Sequence, residues 1–135
     1  MVSFYRTADT FKQGAKTLPQ EYYTGRYVLK MEMEKIYLRK WLCCGRSDEF
    51  LKPGKYKLKN IGNESIILFR DNKNKLTAFY NVCRHRGTKL CNNKNGEFSQ
   101  TIQCPYHGWT YDLEGKLVGA PNMNAVKDFD KDDYH

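Results

Sequence analysis

Two short stretches carry most of the chemistry this sequence offers: NVCRHRGTKLC at residues 81–91 and QCPYHGWTY at residues 103–111. In the first, Cys83 and His85 form a C-x-H pair. In the second, Cys104 and His107 form C-x-x-H, and eighteen residues separate His85 from Cys104. Two thiolates and two imidazoles can bind one zinc tetrahedrally. They can equally bind a two-iron, two-sulfide cluster, with both Cys on one iron and both His on the other. Donor count alone leaves both open.

The surroundings of the donors separate the two. A zinc finger usually spaces Cys from Cys and His from His and builds a helix between them. Here each stretch contributes one of each, and a glycine follows each His, Gly87 after one residue and Gly108 at once. Glycine permits positive φ and leaves room for inorganic sulfide beside a main chain whose N–H groups can donate to sulfur. Pro105 stiffens the second stretch. The pattern favours a cluster.

Rigid elements must hold these two stretches toward each other. After residue 40 come short segments with strand character: WLCCGR, KYKLKN, SIILFRD, KLTAFYNV, QTIQC, WTYDL and KLVGA. Turn residues separate them, including Pro53-Gly54, Gly62-Asn63, DNKNK and LEGK. Many short strands with short turns predict antiparallel pairing, because parallel strands need long crossovers. NNKNGE reads as loop. Before the strands, Leu29, Met33, Ile36, Tyr37 and Trp41 fall at helical spacing, which predicts a packed helix over 26–40 with Thr24 as its cap. Residues 1–24 read as an irregular arm, since Pro19 argues against a continuous helix. The polar, acidic tail over 122–135 reads as the start of a linker.

Composition narrows the function classes. With 135 residues, 40% hydrophobic and 28% charged, one folded domain is expected. No apolar run is long enough for a secretory signal or a membrane span, so the expected location is cytoplasmic and no membrane partner is expected. Five Cys in such a chain point to ligands or free thiols before disulfides. Cys43 and Cys44 read as packed thiols in an apolar strand and Cys91 as a loop thiol. The net charge is +8, but the 23 Lys and Arg are dispersed and 16 of them are Lys in loop-like contexts. Without a basic stripe carrying stacking aromatics, no nucleic-acid partner is expected.

At CRHRG and CPYHGW the sequence resembles the Rieske iron–sulfur proteins, and more narrowly the α subunit of Rieske non-haem iron oxygenases. The similarity runs from about residue 18 to the end of the chain, through RKWLCCGRSDEF, LKPGKYKLKNIGNESIILFRDNKNKLTAFYNVCRHRG and YHGWTYDLEGKLVGAP. It implies a mainly β fold, a Rieske-type antiparallel β-sandwich with a cluster-binding subdomain of two loops, preceded by the helix and together spanning 25–121. It implies a [2Fe–2S] cluster whose buried iron is held by Cys83 and Cys104 and whose exposed iron is held by His85 and His107. Arg84 and Arg86 fall beside His85, suited to docking an electron-transfer partner or bonding nearby groups. Tyr106, Trp109 and Tyr111 are placed to shield the cluster or simply to fill the core.

The resemblance also carries consequences. The respiratory type of Rieske protein has an extra disulfide using a Cys where this chain has Tyr106, and a Ser donating to sulfide where it has Trp109. Fewer hydrogen bonds to sulfur lower the potential, so the low end of the Rieske range is expected, on the order of −150 mV. In the oxygenases, a second domain binds a mononuclear iron through two His and a carboxylate. With His85 and His107 on the cluster only His135 remains, so that site cannot be built here. The expected role is therefore an electron relay from a reductase or ferredoxin to the catalytic domain of the same or a neighbouring subunit, within a homotrimeric full-length protein and without oxygenase activity of its own. The other expectation is a stand-alone Rieske ferredoxin, which generally lacks the arm and helix seen here.

Overall fold

A computed structural model describes residue 14 and residues 16–135. The described chain divides into two compact units, the first ending at Trp41 and the second comprising Leu42–His135. Most of the expected arm, residues 1–13 and 15, lies outside the described residues. Its last part is helical, contrary to expectation: α1 (Glu21–Thr24) starts just after Pro19, where the ring costs nothing.

The helix expected over 26–40 is α2 (Arg26–Glu32), continued through a wider π-helical stretch at Met33–Tyr37. There Leu38 N–H reaches back five residues to the Met33 carbonyl at 3.0 Å, and Arg39 N and Lys40 N then share the Ile36 carbonyl, ending the helix before residue 40. Thr24 does not cap it. Its hydroxyl donates to the Gln20 carbonyl at 3.2 Å, and Gly25 occupies the cap position with extended backbone. Leu29, Ile36, Tyr37 and Trp41, expected to pack, are exposed, and among the described residues of this unit no second long element faces them.

The second unit is the mainly β, antiparallel architecture expected. One sheet has four strands in the order β3 (Leu76–Tyr80), β2 (Glu64–Arg70), β1 (Lys55–Ile61), β4 (Asn95–Glu97). The other has three, β5 (Thr101–Gln103), β6 (Thr110–Asp112) and β7 (Leu117–Gly119). All pairs are antiparallel, with Ile67 opposite Leu58 and Phe79, and Ile102 opposite Tyr111. The alternation in β2 sends Ile67 and Phe69 inward to complete burial. They join Tyr56, Cys91, and Ile102 and Leu113 from the second sheet region in one core, where Phe69 meets Phe79 edge-on at 5.3 Å.

Two segments depart from the sequence reading. WLCCGR is not a strand; it leads into a 3₁₀ turn at Ser47–Glu49, where the Glu49 carboxylate accepts the Arg46 N–H at 2.9 Å and Arg46 pairs with Asp48. Local side-chain bonds there supply the partners that a strand ladder would otherwise need. Cys43 is accordingly exposed and Cys44 half-buried rather than packed in a strand. NNKNGE is loop only in its first half: residues 95–97 form β4, where Gly96 pairs with Tyr56, whose ring lies over it so closely that a Cβ would fall 2.6 Å from the ring. Glycine and asparagine are poor strand formers, which hides this strand from a propensity argument.

The final segment, 122–135, carries a 3₁₀ turn at Lys131–Asp133 and folds against β7, with Leu117 N donating to the Tyr134 carbonyl at 3.2 Å. Among the described residues no helix is long and apolar enough to cross a membrane.

Candidate metal centre

The two Cys–His stretches differ in spacing but share one backbone design. In the first, Gly87 N donates to the Cys83 carbonyl at 2.9 Å and Cys83 N donates to the Thr88 carbonyl at 2.8 Å. In the second, Gly108 N donates to the Cys104 carbonyl at 3.1 Å and Cys104 N donates to the Trp109 carbonyl at 2.7 Å. Each Cys thus starts a turn that a glycine closes four residues later, with φ of 71° at Gly87 and 69° at Gly108. These are left-handed values that only glycine adopts without strain. The two His occupy different places in equivalent turns, which is what the C-x-H and C-x-x-H spacings encode.

The turns bring the four expected residues together in two layers. Cys83 and Cys104 are buried, 2% and 3% exposed, within a cluster formed by Trp109, Tyr111 and Leu117. His85 is half-buried and His107 exposed, their ring centroids 4.8 Å apart. Buried sulfur below and accessible imidazole above match a donor set divided between two metals. Among the described residues, no three His, Cys, Asp or Glu side chains are arranged to hold a single ion. A centre divided two and two between separate irons needs no such convergence.

Protein groups around the donors tune them. Tyr111 is buried, and its hydroxyl accepts the Arg84 N–H at 3.1 Å while lying 3.4 Å from Cys83 Sγ. With the backbone N–H as donor to its oxygen, the hydroxyl proton is free to point at the sulfur. Burial raises the Cys83 thiol pKa, and the Tyr111 hydroxyl opposes that by favouring the thiolate. Burial and then the Cys83 sulfur push the Tyr111 hydroxyl up, keeping it a protonated donor. Burial first, then His107 and Arg86, lower the His85 pKa, favouring the neutral imidazole that a metal requires.

The aromatic side chains take distinct places. Trp109 is buried and lies flat against His85, centroids 4.7 Å apart and planes at 9°. Tyr106 is 59% exposed and tilted over His107 at 3.7 Å. Arg84 and Arg86 are exposed, and neither guanidinium has an ion-pair partner among the described residues.

One contributor escaped the sequence reading. Asn81 is buried at the foot of the first turn; its Oδ1 accepts from Cys91 N at 2.8 Å and its Nδ2 donates to the Cys91 carbonyl at 2.7 Å and to Ser65 Oγ at 3.2 Å. This side chain stitches together the two ends of the segment carrying Cys83 and His85. Cys91, expected as a loop thiol, is instead a core residue, with burial raising its pKa. The only sequence signal was an Asn at the end of an apolar strand, which turn chemistry explains as well.

Residues 40–130 match the Rieske [2Fe-2S] domain. The chain belongs to this family. The Rieske domain is 39% identical over 118 residues to the carnitine monooxygenase oxygenase subunit of Acinetobacter baumannii, covering 87% of this chain and 32% of that protein. It is 40% identical over 126 residues to the glycine betaine monooxygenase oxygenase subunit of Chromohalobacter salexigens, covering 92% of this chain and 28% of that one. The crystal structure of a quaternary ammonium Rieske monooxygenase in complex with L-carnitine superposes with a TM-score of 0.82 at 37% identity, over 87% of this chain and 33% of that one. Naphthalene 1,2-dioxygenase from Rhodococcus gives 0.72 at 32% identity, over 79% of this chain and 24% of that one. The chain thus spans about a third of the length of the curated relatives it matches. Its cofactor class is the Rieske [2Fe–2S] cluster, and its relatives are oxygenase subunits.

Proposed function

We propose that this Rieske domain relays single electrons to the catalytic iron of an oxygenase, with Cys83 and Cys104 holding one iron of its cluster and His85 and His107 the other. The observation that carries the assignment is the pair of equivalent Cys turns, which buries both thiols and lifts both imidazoles toward the surface. When bound, the cluster takes up and gives back one electron. The chain's own residues do the rest. Tyr111 donates toward Cys83 sulfur, Trp109 excludes water from one face of His85, and the accessible His107 edge is where an acceptor can approach.

The cationic pair Arg84 and Arg86 beside the imidazoles suits an acidic donor, a reductase or ferredoxin, and long-range attraction would speed its docking. Residues 122–135 are read as leading on from the domain toward a catalytic domain, and the full-length protein as a homotrimer in which the electron crosses between subunits. A structure described as revealing inter-subunit electron transfer in a quaternary ammonium Rieske monooxygenase supports that reading, with a TM-score of 0.82. Higher identity to such enzymes than to naphthalene dioxygenase, 37% against 32%, favours a quaternary ammonium substrate for the whole enzyme. A cytoplasmic location agrees with five cysteines of which none is paired in a disulfide.

The test is anaerobic purification with iron and acid-labile sulfide counted on one sample. The expected result is about two irons and two sulfides per chain, and a spin-half EPR signal of low average g after dithionite. Single Cys83→Ser, His85→Ala, Cys104→Ser and His107→Ala variants should each lose that signal. A colourless protein with one zinc, or retention of the signal in any of the four, rejects the assignment.

A further inference from the structure

The tail after β7 contributes two rings that reach the cluster site at second hand. Phe129 meets Trp109 edge-on at 5.8 Å and Tyr134 meets it at 5.2 Å with planes at 89°, while Phe129 and Tyr134 touch each other at 5.3 Å. The same indole also carries the parallel stack on His85, centroids 4.7 Å apart. Tyr134 is also fixed by backbone, since its carbonyl accepts Leu117 N, and Leu117 pairs with Tyr111, the residue beside Cys83 sulfur. Trp109 is 2% exposed. Both rings are half-buried and pack on the buried cluster that contains Trp109.

We propose that Phe129 and Tyr134 are positioning residues for His85, acting through Trp109. A flat imidazole–indole contact fixes the tilt of the His85 ring only if the indole itself cannot rotate or slide. The two T-shaped partners of the same indole supply that restraint, because T-shaped packing has a defined geometry as well as attraction. Ring orientation decides how an imidazole nitrogen addresses a metal, and outer groups that fix it alter metal affinity and potential. The segment that reads as a solvated acidic linker is therefore part of the cluster's support, and a displacement of the tail would be felt at a ligand. This rests on the reading of His85 as a ligand given above, and the test below separates the two.

The first measurement is on the cluster-free full chain, by proton NMR of the His85 imidazole. Stacked on the indole face, its ring protons are shifted upfield. In Tyr134→Ala they are expected to move downfield toward an exposed imidazole, with His107 shifted less. Should Tyr134→Ala fail to fold, Phe129→Leu reads the same shift, since it keeps apolar volume while removing the aromatic ring that meets the indole. Tyr134→Phe, which keeps the ring and the backbone bond, should behave as the unmodified chain. The second measurement is on reconstituted protein, where Tyr134→Ala or Phe129→Leu should shift both the EPR g-values and the midpoint potential, and Tyr134→Phe neither. A folded variant with reduced thermal stability but unchanged His85 resonances, g-values and potential shows a merely structural role and overturns the proposal. Failure of the chain to bind two irons would instead reject the ligand reading, leaving the NMR result on the support of His85 intact.

Discussion

Replacing Asn81 by Ala isolates the contribution of a single side chain that bridges the ends of the first Cys–His turn. The amide makes three hydrogen bonds, two to the Cys91 backbone and one to Ser65, and both Asn81 and Cys91 are buried. Truncation leaves Cys91 N–H and C=O without their partners. A buried polar group deprived of its bond costs roughly 1–3 kcal/mol, so two cost roughly 2–6 kcal/mol, the lower figure if water enters the space. A domain of this size loses about 4–8 °C of Tm per kcal/mol, which puts the expected fall near 10 °C or more. The assay is thermal unfolding by circular dichroism on metal-free protein, run beside iron retention during gel filtration of the loaded form. Asn81→Asp is the sharper test. It preserves shape and the bond from Cys91 N, but sets a carboxylate oxygen against the Cys91 carbonyl, and should lose at least as much stability as the alanine at neutral pH. The reasoning is refuted if Asn81→Ala melts within about 3 °C of the unmodified chain, or if Asn81→Asp is as stable as the parent.

Other perturbations follow the same logic. Tyr111→Phe removes the hydroxyl next to Cys83 sulfur. Since such bonds favour the reduced, more negative cluster, the midpoint should fall by about 20–60 mV, a bond of about 0.5–1.5 kcal/mol on a one-electron couple; protein-film voltammetry reads it, and a rise would contradict the assigned donor direction. The parent itself should titrate on the order of −150 mV. Gly96→Ala drives a methyl into the Tyr56 ring and should cost about 1–3 kcal/mol in chemical denaturation, a loss that Tyr56→Leu partly absorbs; strictly additive effects would show the contact to be unimportant. Glu49 is held near a pKa of about 2, below its ordinary 4.5, by the Arg46 N–H and then Lys57. A depressed carboxylate stabilises the fold above the ordinary value and loses that contribution as pH falls from about 4.5 through about 2. Glu49→Gln should flatten the pH dependence of Tm across that window, whereas parallel curves for parent and variant would place the titration elsewhere.

The four residues proposed as donors stand out in the sequence because ligand chemistry demands particular residue types, and Cys83, His85, Cys104 and His107 fall in two short, glycine-closed stretches. Strands β1, β2 and β3 were legible for a related reason: they are rich in aliphatic and aromatic residues, and the turns that bound them carry Gly, Asn and, before β1, Pro53. The misreadings cluster where one side chain substitutes for a regular partner. WLCCGR has strand-like composition, yet the Glu49 carboxylate and the Arg46–Asp48 pair settle its continuation as a 3₁₀ turn. Gly96 has no strand propensity, and its pairing depends on the Tyr56 ring, forty residues earlier in sequence. Nothing local to either residue announces the other.

The same distinction governs the site. Sequence spacing places C-x-H and C-x-x-H in different motifs, but the hydrogen bonds closing at Gly87 and Gly108 show one turn used twice, with the imidazole launched from the third position in one and the fourth in the other. The offset gives the two imidazoles different surroundings. His85, launched early, lies inward against Trp109, whereas His107, launched late, is exposed with Tyr106 over it. The inner imidazole is therefore held by core packing that extends to Phe129 and Tyr134, whereas the outer one meets the exposed Tyr106 ring and the edge contact with His85. Substitutions in the buried aromatic group should consequently disturb His85 first, while partners that dock on the surface address His107 first. An asymmetry of this kind suits the relay proposed above, since one imidazole can stay fixed while the other meets an acceptor.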